Sequence, residues 1–342
     1  GIIAESARPL AGAILLGETI SEPVIVIGGE KAAISDLRRS WEAVLEGVFP
    51  TKAGSSEPVP AVTHAKPCVL VAKSRYARPK AVIPVFPGTN CEYDTARAVE
   101  RAGGQAEIVV INKLSQEYLA DSVKRLEKAI RSAQMLILPG GFSGGDEPDG
   151  SGKFIASFFR NPALTDAVHE LLKNRDGLVL GICNGFQALI KLGLLPYGEI
   201  RPMDENCPTL TFNLIGRHQS GYVTTRVCSV MSPWLSKCKV GELYTIPVSH
   251  GEGRFVASRE MLDSLISNGQ IATQYTDLDG RPTMDIEYNP NGSVLAVEGI
   301  TSPDGRVLGK MGHTERRGRY VAVNIPGNKW QPIFESGVEY YK

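Results

Sequence analysis

Apolar and polar positions along the chain fall into two successive textures. Between Lys80 and Leu195, short continuous apolar runs alternate with helix-length amphipathic stretches. The runs predict strands at 81–86, 106–111, 134–138 and 178–182. The stretches predict helices around 94–102, 115–131, 152–160, 163–174 and 188–195. Strands that alternate with helices imply a mostly parallel, doubly wound sheet with helices on both faces. Beyond Leu195, β-rich runs at 209–214, 222–230, 243–247, 254–257, 270–275, 294–300 and 306–311 are separated by turn residues. They predict a mixed or antiparallel β extension that folds back on that sheet.

The first 50 residues differ from both textures. They hold a strand-like run at 24–27, a Gly-Gly pair and a helix at 34–45 that Ser35 or Asp36 would cap. One strand and one helix cannot bury a stable core, so residues 1–50 are expected to be the tail of a larger domain. Residues 51–79 are rich in Pro, Ser, Lys and Ala and read as a linker, with one strand at 68–72. Residues 80–342 then form the main domain.

Charge narrows the function classes. Lys plus Arg and Asp plus Glu number 37 each, which argues against a nucleic-acid or anionic-membrane partner. No apolar run reaches membrane-spanning length. The apolar N-terminus carries Glu5 and Arg8 and lacks a basic n-region, so it does not read as a signal peptide. The cysteines at 68, 91, 183, 207, 228 and 238 form no CxxC pair. They read as reduced thiols of a cytoplasmic protein.

The densest chemical signal is Leu178-Val179-Leu180-Gly181-Ile182-Cys183-Asn184-Gly185-Phe186-Gln187. A Gly-x-nucleophile-x-Gly pattern at a strand-to-helix junction is a nucleophile elbow. The turn is too tight for a Cβ at either flank, and it presents the sulfur at a helix N-terminus, where free N–H groups and the helix dipole favour an anion. Cys91, in Pro87-Gly88-Thr89-Asn90-Cys91-Glu92, is the rival nucleophile, but lacks the flanking glycines.

A cysteine nucleophile needs a base and a group to orient it. His250-Gly251-Glu252 and His313-Thr314-Glu315 each offer an imidazole with a carboxylate two residues on, the same side of an extended segment. His313 follows a predicted strand, where α/β enzymes gather catalytic groups, and takes the catalytic role here. Ser249-His250-Gly251-Glu252-Gly253 reads as a substrate-binding loop. Both pairs could instead be solvated surface contacts. A metal site is not expected, because the pairs lack helical i, i+4 spacing and cysteine partners. Leu138-Pro139-Gly140-Gly141-Phe142-Ser143-Gly144-Gly145-Asp146 can turn backbone N–H groups toward an oxyanion, with the Asn184 amide as second donor. It lacks the end of a P-loop and dinucleotide spacing, although a plain flexible loop stays open.

Together these motifs resemble the class I (triad) glutamine amidotransferases. The order is a Pro-Gly-Gly loop, then Gly181-Ile182-Cys183-Asn184-Gly185 with Gln187, then His313-Thr314-Glu315-Arg316 near the C-terminus. With Pro87–Cys91 and Ser249–Arg254 included, the likeness covers roughly residues 80–342. In detail it is similar to the glutaminase domains of the phosphoribosylformylglycinamidine synthases, in their large single-chain form. The resemblance implies a flavodoxin-like α/β fold and a glutaminase in which Cys183 attacks the side-chain amide of L-glutamine. His313 would form the thiolate and then protonate the departing ammonia, and Glu315 would orient His313. The amides of Gly141 and Asn184 would hold the oxyanion, while Phe142, Gln187, Ser249, His250, Gly251 and Glu252 would bind substrate. The resemblance further implies a synthetase domain as partner, where ATP and Mg²⁺ drive amidation of formylglycinamide ribonucleotide in purine synthesis. No cofactor or metal is implied for residues 80–342 themselves. Residues 1–50 look similar to the end of that synthetase part, so the chain is expected to be a C-terminal piece of a longer polypeptide. Two departures stand out: the family's prolines around the histidine are missing from Gly312-His313-Thr314-Glu315, and the run Asp146-Glu147-Pro148-Asp149 is unusually acidic, as if facing a partner domain.

Overall fold

The computed structural model describes residues 1–144 and 152–342, so the acidic run 146–149 lies outside the described residues. The chain forms two compact units, Gly1–Thr51 and Lys52–Lys342.

In the first unit, β1 (Val24–Ile27) pairs antiparallel with β2 (Glu30–Ala33), and α1 (Ile34–Ala43) follows. None of its residues is buried, as expected of so short a piece. The expected cap is corrected here. Ala33 is the N-cap and makes no side-chain bond, while Ser35 and Asp36 lie inside the helix, where the Asp36 charge suits the N-terminal end of the dipole.

The second unit is built on a nine-stranded sheet. Its first half comes from β3 (Lys80–Val85), α2 (Glu92–Arg101), β4 (Gln105–Val110), α3 (Gln116–Ser132), β5 (Met135–Leu138), α4 (Lys153–Phe159), α5 (Pro162–Asn174), β6 (Leu178–Ile182) and α6 (Asn184–Leu192). After the short α7 (Leu194–Tyr197) come β7 (Thr209–Phe212), β8 (Gln219–Val227), β9 (Leu243–His250), β10 (Glu252–Val256), α8 (Arg259–Ser267), β11 (Ile271–Thr276), β12 (Val297–Thr301), β13 (Val307–Lys310) and α9 (Ile333–Glu339). The order across the sheet is β4-β3-β5-β6-β13-β12-β11-β8-β9. The strands from β4 to β13 are parallel, and those from β12 to β9 continue antiparallel. The β-rich half therefore extends the same ladder, while β7 and β10 pair separately.

β5 and β6 are buried at every position, as strands covered on both faces must be. Under α4, Phe86 meets the edges of Phe154 and Phe158 with ring centroids 5.7 and 5.4 Å apart. The stretch read as a linker lies along this unit. The Val62 N–H donates to Gln274 Oε1 at 2.8 Å and the His64 N–H to the Cys228 carbonyl at 2.8 Å, with Val62 and Ala72 buried. No strand forms at 68–72; the segment's backbone is held instead by isolated bridges at Pro58 and His64. No helix among the described residues is long and apolar enough to cross a membrane.

Register explains where the chemistry gathers. Ile182 lies opposite Lys310 and Leu138 opposite Gly181 in neighbouring parallel strands. The loops after β5, β6 and β13 therefore leave the same edge of the sheet side by side. β4 and β5 flank β3 on opposite sides, so the strand order reverses beside these loops, the usual neighbourhood for a ligand in an open α/β sheet.

Candidate active site

Cys183 stands between β6 and α6 with φ 52° and ψ −106°. A non-glycine residue there carries about 1–3 kcal/mol of backbone strain, the mark of a nucleophile elbow. The glycines beside it are required by close approach. A Cβ on Gly185 would lie 2.0 Å from the Leu138 carbonyl oxygen, and one on Gly181 would lie 2.5 Å from Leu189 Cδ1. The Cys183 N–H is anchored to the Lys310 carbonyl at 2.8 Å, and its thiol points toward the Ser249 carbonyl at 3.7 Å.

His313 and Glu315 follow β13. His313 Nδ1 lies 2.7 Å from Glu315 Oε1, and both side chains are buried. Burial alone pushes the His313 pKa down. The Glu315 carboxylate and the nearby Cys183 sulfur outweigh it, with help from Cys91, and hold the imidazole well above its ordinary value. Nδ1 is taken by Glu315, so Nε2 is the nitrogen left for Cys183. Among the described residues Nε2 makes no hydrogen bond of regular geometry. Such contacts often tighten only when substrate enters.

The glycine loop after β5 closes the site. Gly140 packs against the imidazole so tightly that a Cβ would sit 2.6 Å from His313 Cε1. Gly141 takes φ +142°, and its Cβ would collide with Gly88 and Thr89. The loop is stitched to the Pro87–Cys91 turn by Phe142 N–H to the Gly88 carbonyl at 2.8 Å and Gly144 N–H to the Pro87 carbonyl at 2.9 Å. It is tied to the elbow by Ser143 N–H donating to Asn184 Oδ1 at 3.2 Å. Asn184 opens α6, so its own N–H has no intrahelical acceptor.

The remaining expected positions are joined to the elbow and to one another by hydrogen bonds and a ring contact. Phe142 lies beside His218, with ring centroids 6.1 Å apart, and His218 Nε2 meets Ser249 Oγ at 3.0 Å. Gln187 is buried, with Nε2 donating to the Glu252 carbonyl at 2.7 Å and Oε1 accepting from Asn184 Nδ2 at 3.0 Å. It thereby pins the Ser249–Glu252 turn to α6. The Gly251 carbonyl accepts from the Asn213 N–H at 2.9 Å. His250 is buried, with Nδ1 3.2 Å from Asn213 Oδ1 and no partner for Nε2 among the described residues.

Burial, reinforced by the charges of His313 and His218, drives the His250 pKa down to about 3. His250 is neutral in the folded chain but takes a proton near pH 6.5 when unfolded. Stability should therefore fall as pH drops from about 6.5 toward about 3, by at most about 1.4 kcal/mol per pH unit. Denaturant unfolding of wild type and His250→Leu at pH 7 and pH 5 checks this. The variant should lose less between the two, and an equal loss would refute the assignment.

Sequence reasoning did not place Cys91 and Arg316 here. Cys91 Sγ lies 3.9 Å from His313 Nδ1, and the Arg316 guanidinium donates to it at 2.9 Å. The sequence separation of 222 residues hid this contact. Donor atoms of Cys91, His313 and Glu315 lie within 4.8 Å of one another, so a cysteine partner for a His-x-Glu pair does exist in space. The guanidinium fixed on the sulfur opposes a cation at that spot. A cavity of about 30 Å³ adjoins His313, lined by Tyr222, Ile246, Pro247, Arg316 and Val321. It has room for a molecule the size of water or ammonia.

Comparisons with known proteins show which family the chain is similar to. A family model described as a CobB/CobQ-like glutamine amidotransferase domain matches residues 78–341. The phosphoribosylformylglycinamidine synthase subunit PurQ of Treponema denticola is 38% identical over 251 residues, covering 70% of this chain and 88% of that relative. The corresponding subunit of Pyrococcus furiosus is 34% identical over 269 residues, covering 77% and 99%. In the solved structure of PurLQS from Thermotoga maritima, one chain is matched over its full length by 78% of this chain, with a TM-score of 0.54 and 27% identity.

Proposed function

Because the chain belongs to the CobB/CobQ-like glutamine amidotransferase domain family, we propose that it hydrolyses L-glutamine to glutamate and ammonia, and that the ammonia serves phosphoribosylformylglycinamidine synthase. Cys183 adds to the γ-amide carbon, and the resulting oxyanion takes hydrogen bonds from the amides of Gly141 and Asn184. His313, held by Glu315, accepts the thiol proton and delivers it to the leaving nitrogen. Ammonia departs and leaves a γ-glutamyl thioester. Water, deprotonated by His313, then releases glutamate and restores the thiol. Phe142, His250 and the Ser249–Glu252 turn would grip the α-amino and carboxylate end, with Gln187 holding that turn in place. One observation carries this reading: the strained Cys183 shares one edge of the sheet with a buried His313–Glu315 pair.

The partner would be the synthetase part of the same enzyme, in which ATP and Mg²⁺ act. The resemblance of residues 1–50 to the end of that part, read from the sequence, would suit the single-chain form. Six free cysteines suit a cytoplasmic setting. The test is ammonia release from free glutamine beside γ-glutamyl dipeptides. Free glutamine should be turned over at least about tenfold faster, because the dipeptides share its α-amino and α-carboxylate end but carry a bulky second residue on the leaving nitrogen, and the cavity beside His313 holds only about 30 Å³. Faster cleavage of the dipeptides would assign the triad to a γ-glutamyl peptidase instead.

A further inference from the structure

The mechanism makes no use of a second ion pair in this unit, which is as deeply buried as His313–Glu315. Lys310, the last residue of β13, is 1% exposed, and Glu298 on β12 is fully buried. Lys310 Nζ lies 3.3 Å from Glu298 Oε1, 3.1 Å from the Gly312 carbonyl and 2.9 Å from Thr314 Oγ1. The last two are hydrogen bonds donated by the ammonium, and the first is an ion pair. Glu298 Oε1 accepts the Gly312 N–H at 2.7 Å, and Oε2 accepts the Thr273 hydroxyl. Both polar backbone groups of Gly312 are thus held by side-chain charges. The Thr314 hydroxyl in turn donates to Oε1 of the buried Gln331 at 2.8 Å. The two residues that flank His313 are clamped by one charge pair.

Stability alone does not explain such a pair, because well-packed apolar residues commonly serve as well or better. Glycine at 312 does explain a need for it. Glycine leaves the backbone before His313 free to choose among many conformations. It is also the residue that fits, since a Cβ there would lie 2.1 Å from Ile246 Cδ1 and 2.9 Å from Glu298 Oε1. Packing that excludes a side chain leaves the backbone to be fixed through its N–H and carbonyl.

We propose that Lys310 and Glu298 are positioning residues for the glutaminase reaction, fixing Gly312 and Thr314 so that the His313 ring is held between Cys183 and Glu315. The pair touches no reacting atom and acts through the backbone on either side of the imidazole. This rests on the glutaminase reading, and the two can fail separately. A wild-type chain without glutamine turnover would indict that reading, whereas the proposal concerns only how the variants differ from wild type.

The test compares wild type, Lys310→Met and the double variant Lys310→Met with Glu298→Gln. Tm, kcat and KM for glutamine are read for each. Lys310→Met leaves a buried carboxylate without its counter-charge, so Tm should fall. Glu298→Gln removes that charge yet still accepts the Gly312 N–H, so the double variant should regain most of the Tm. Its kcat should remain about 10- to 100-fold below wild type, with KM within about twofold, as expected of a misplaced catalytic group. Recovery of kcat together with Tm would show that the pair only stabilises the fold and would overturn the proposal. Thr314→Val supplies a second reading if the double variant does not fold. It keeps shape and both charges but removes the hydroxyl between Lys310 and Gln331. It should lower kcat at unchanged KM, and an unchanged kcat would also overturn the proposal.

Discussion

Cys183→Ala should reduce glutamine turnover to background, a loss of about 10⁴-fold or more, with the fold intact. The size follows from the chemistry: without the sulfur no thioester forms, and what survives is the modest help of the oxyanion donors and substrate binding. The fold should tolerate the change, because alanine fits the space and the Cys183 backbone is anchored by its N–H to the Lys310 carbonyl at 2.8 Å. Alanine does inherit the strained φ of 52°, so Tm should shift by no more than a few degrees. In an assembly containing the synthetase part, ammonia-dependent amidation should be preserved while glutamine-dependent amidation is lost. Measured ammonia release that persists in the variant would move the nucleophile elsewhere.

Glu315→Gln should be the next most damaging change, lowering kcat by about 10³- to 10⁴-fold with little effect on KM. The buried Glu315 carboxylate lies 2.7 Å from His313 Nδ1 and works against the burial that would otherwise depress the imidazole pKa. A neutral amide of the same shape removes that support and leaves the tautomer unspecified, the loss seen when a triad carboxylate is amidated. The same pair leaves a signature in stability. The His313 pKa is raised on folding, so its protonation favours the folded chain fully below the unfolded value of about 6.5. That contribution fades as pH climbs through the raised native value. The variant should lose this pH dependence as well as its activity. Denaturant unfolding from pH 6 to pH 9 checks it, and identical slopes for wild type and variant would refute the coupling.

Much of the fold was legible because its signals are local. The apolar run with flanking glycines predicted strand 178–182 to the residue, and the Gly181 and Gly185 flanks are indeed positions where a Cβ would collide. His313 and Glu315 were legible for the same reason, since an i, i+2 pair after a strand is a short-range pattern. What was hidden depends on pairing across the chain. Cys91 was set aside for lacking glycines, yet β3 and β13 deliver it and His313 to the same sheet edge. Lys310 and Glu298 look like ordinary charges of β-rich segments until β12 and β13 pair, with Lys310 opposite Gly299. His250 read as part of a substrate-binding loop from its flanking glycines, but that β9 carries its ring inward until it is buried left no local mark in the sequence. Proline-rich composition at 51–79 read as free linker, because single bridges such as His64 to Ser229 leave no periodic trace. α8 was missed although Ser258 caps it, with Oγ accepting the Met261 N–H, because the helix is short and mostly exposed.

Two thiols border one imidazole here, and the account assigns the reaction to only one of them. The most direct measurement is mass-spectrometric mapping of the wild-type chain after treatment with an electrophilic diazoketone analogue of glutamine. The strained elbow, the neighbouring oxyanion donors and the free Nε2 of His313 predict a single covalent adduct on Cys183 that excess glutamine suppresses. An adduct on Cys91 with Cys183 unmodified would contradict the account.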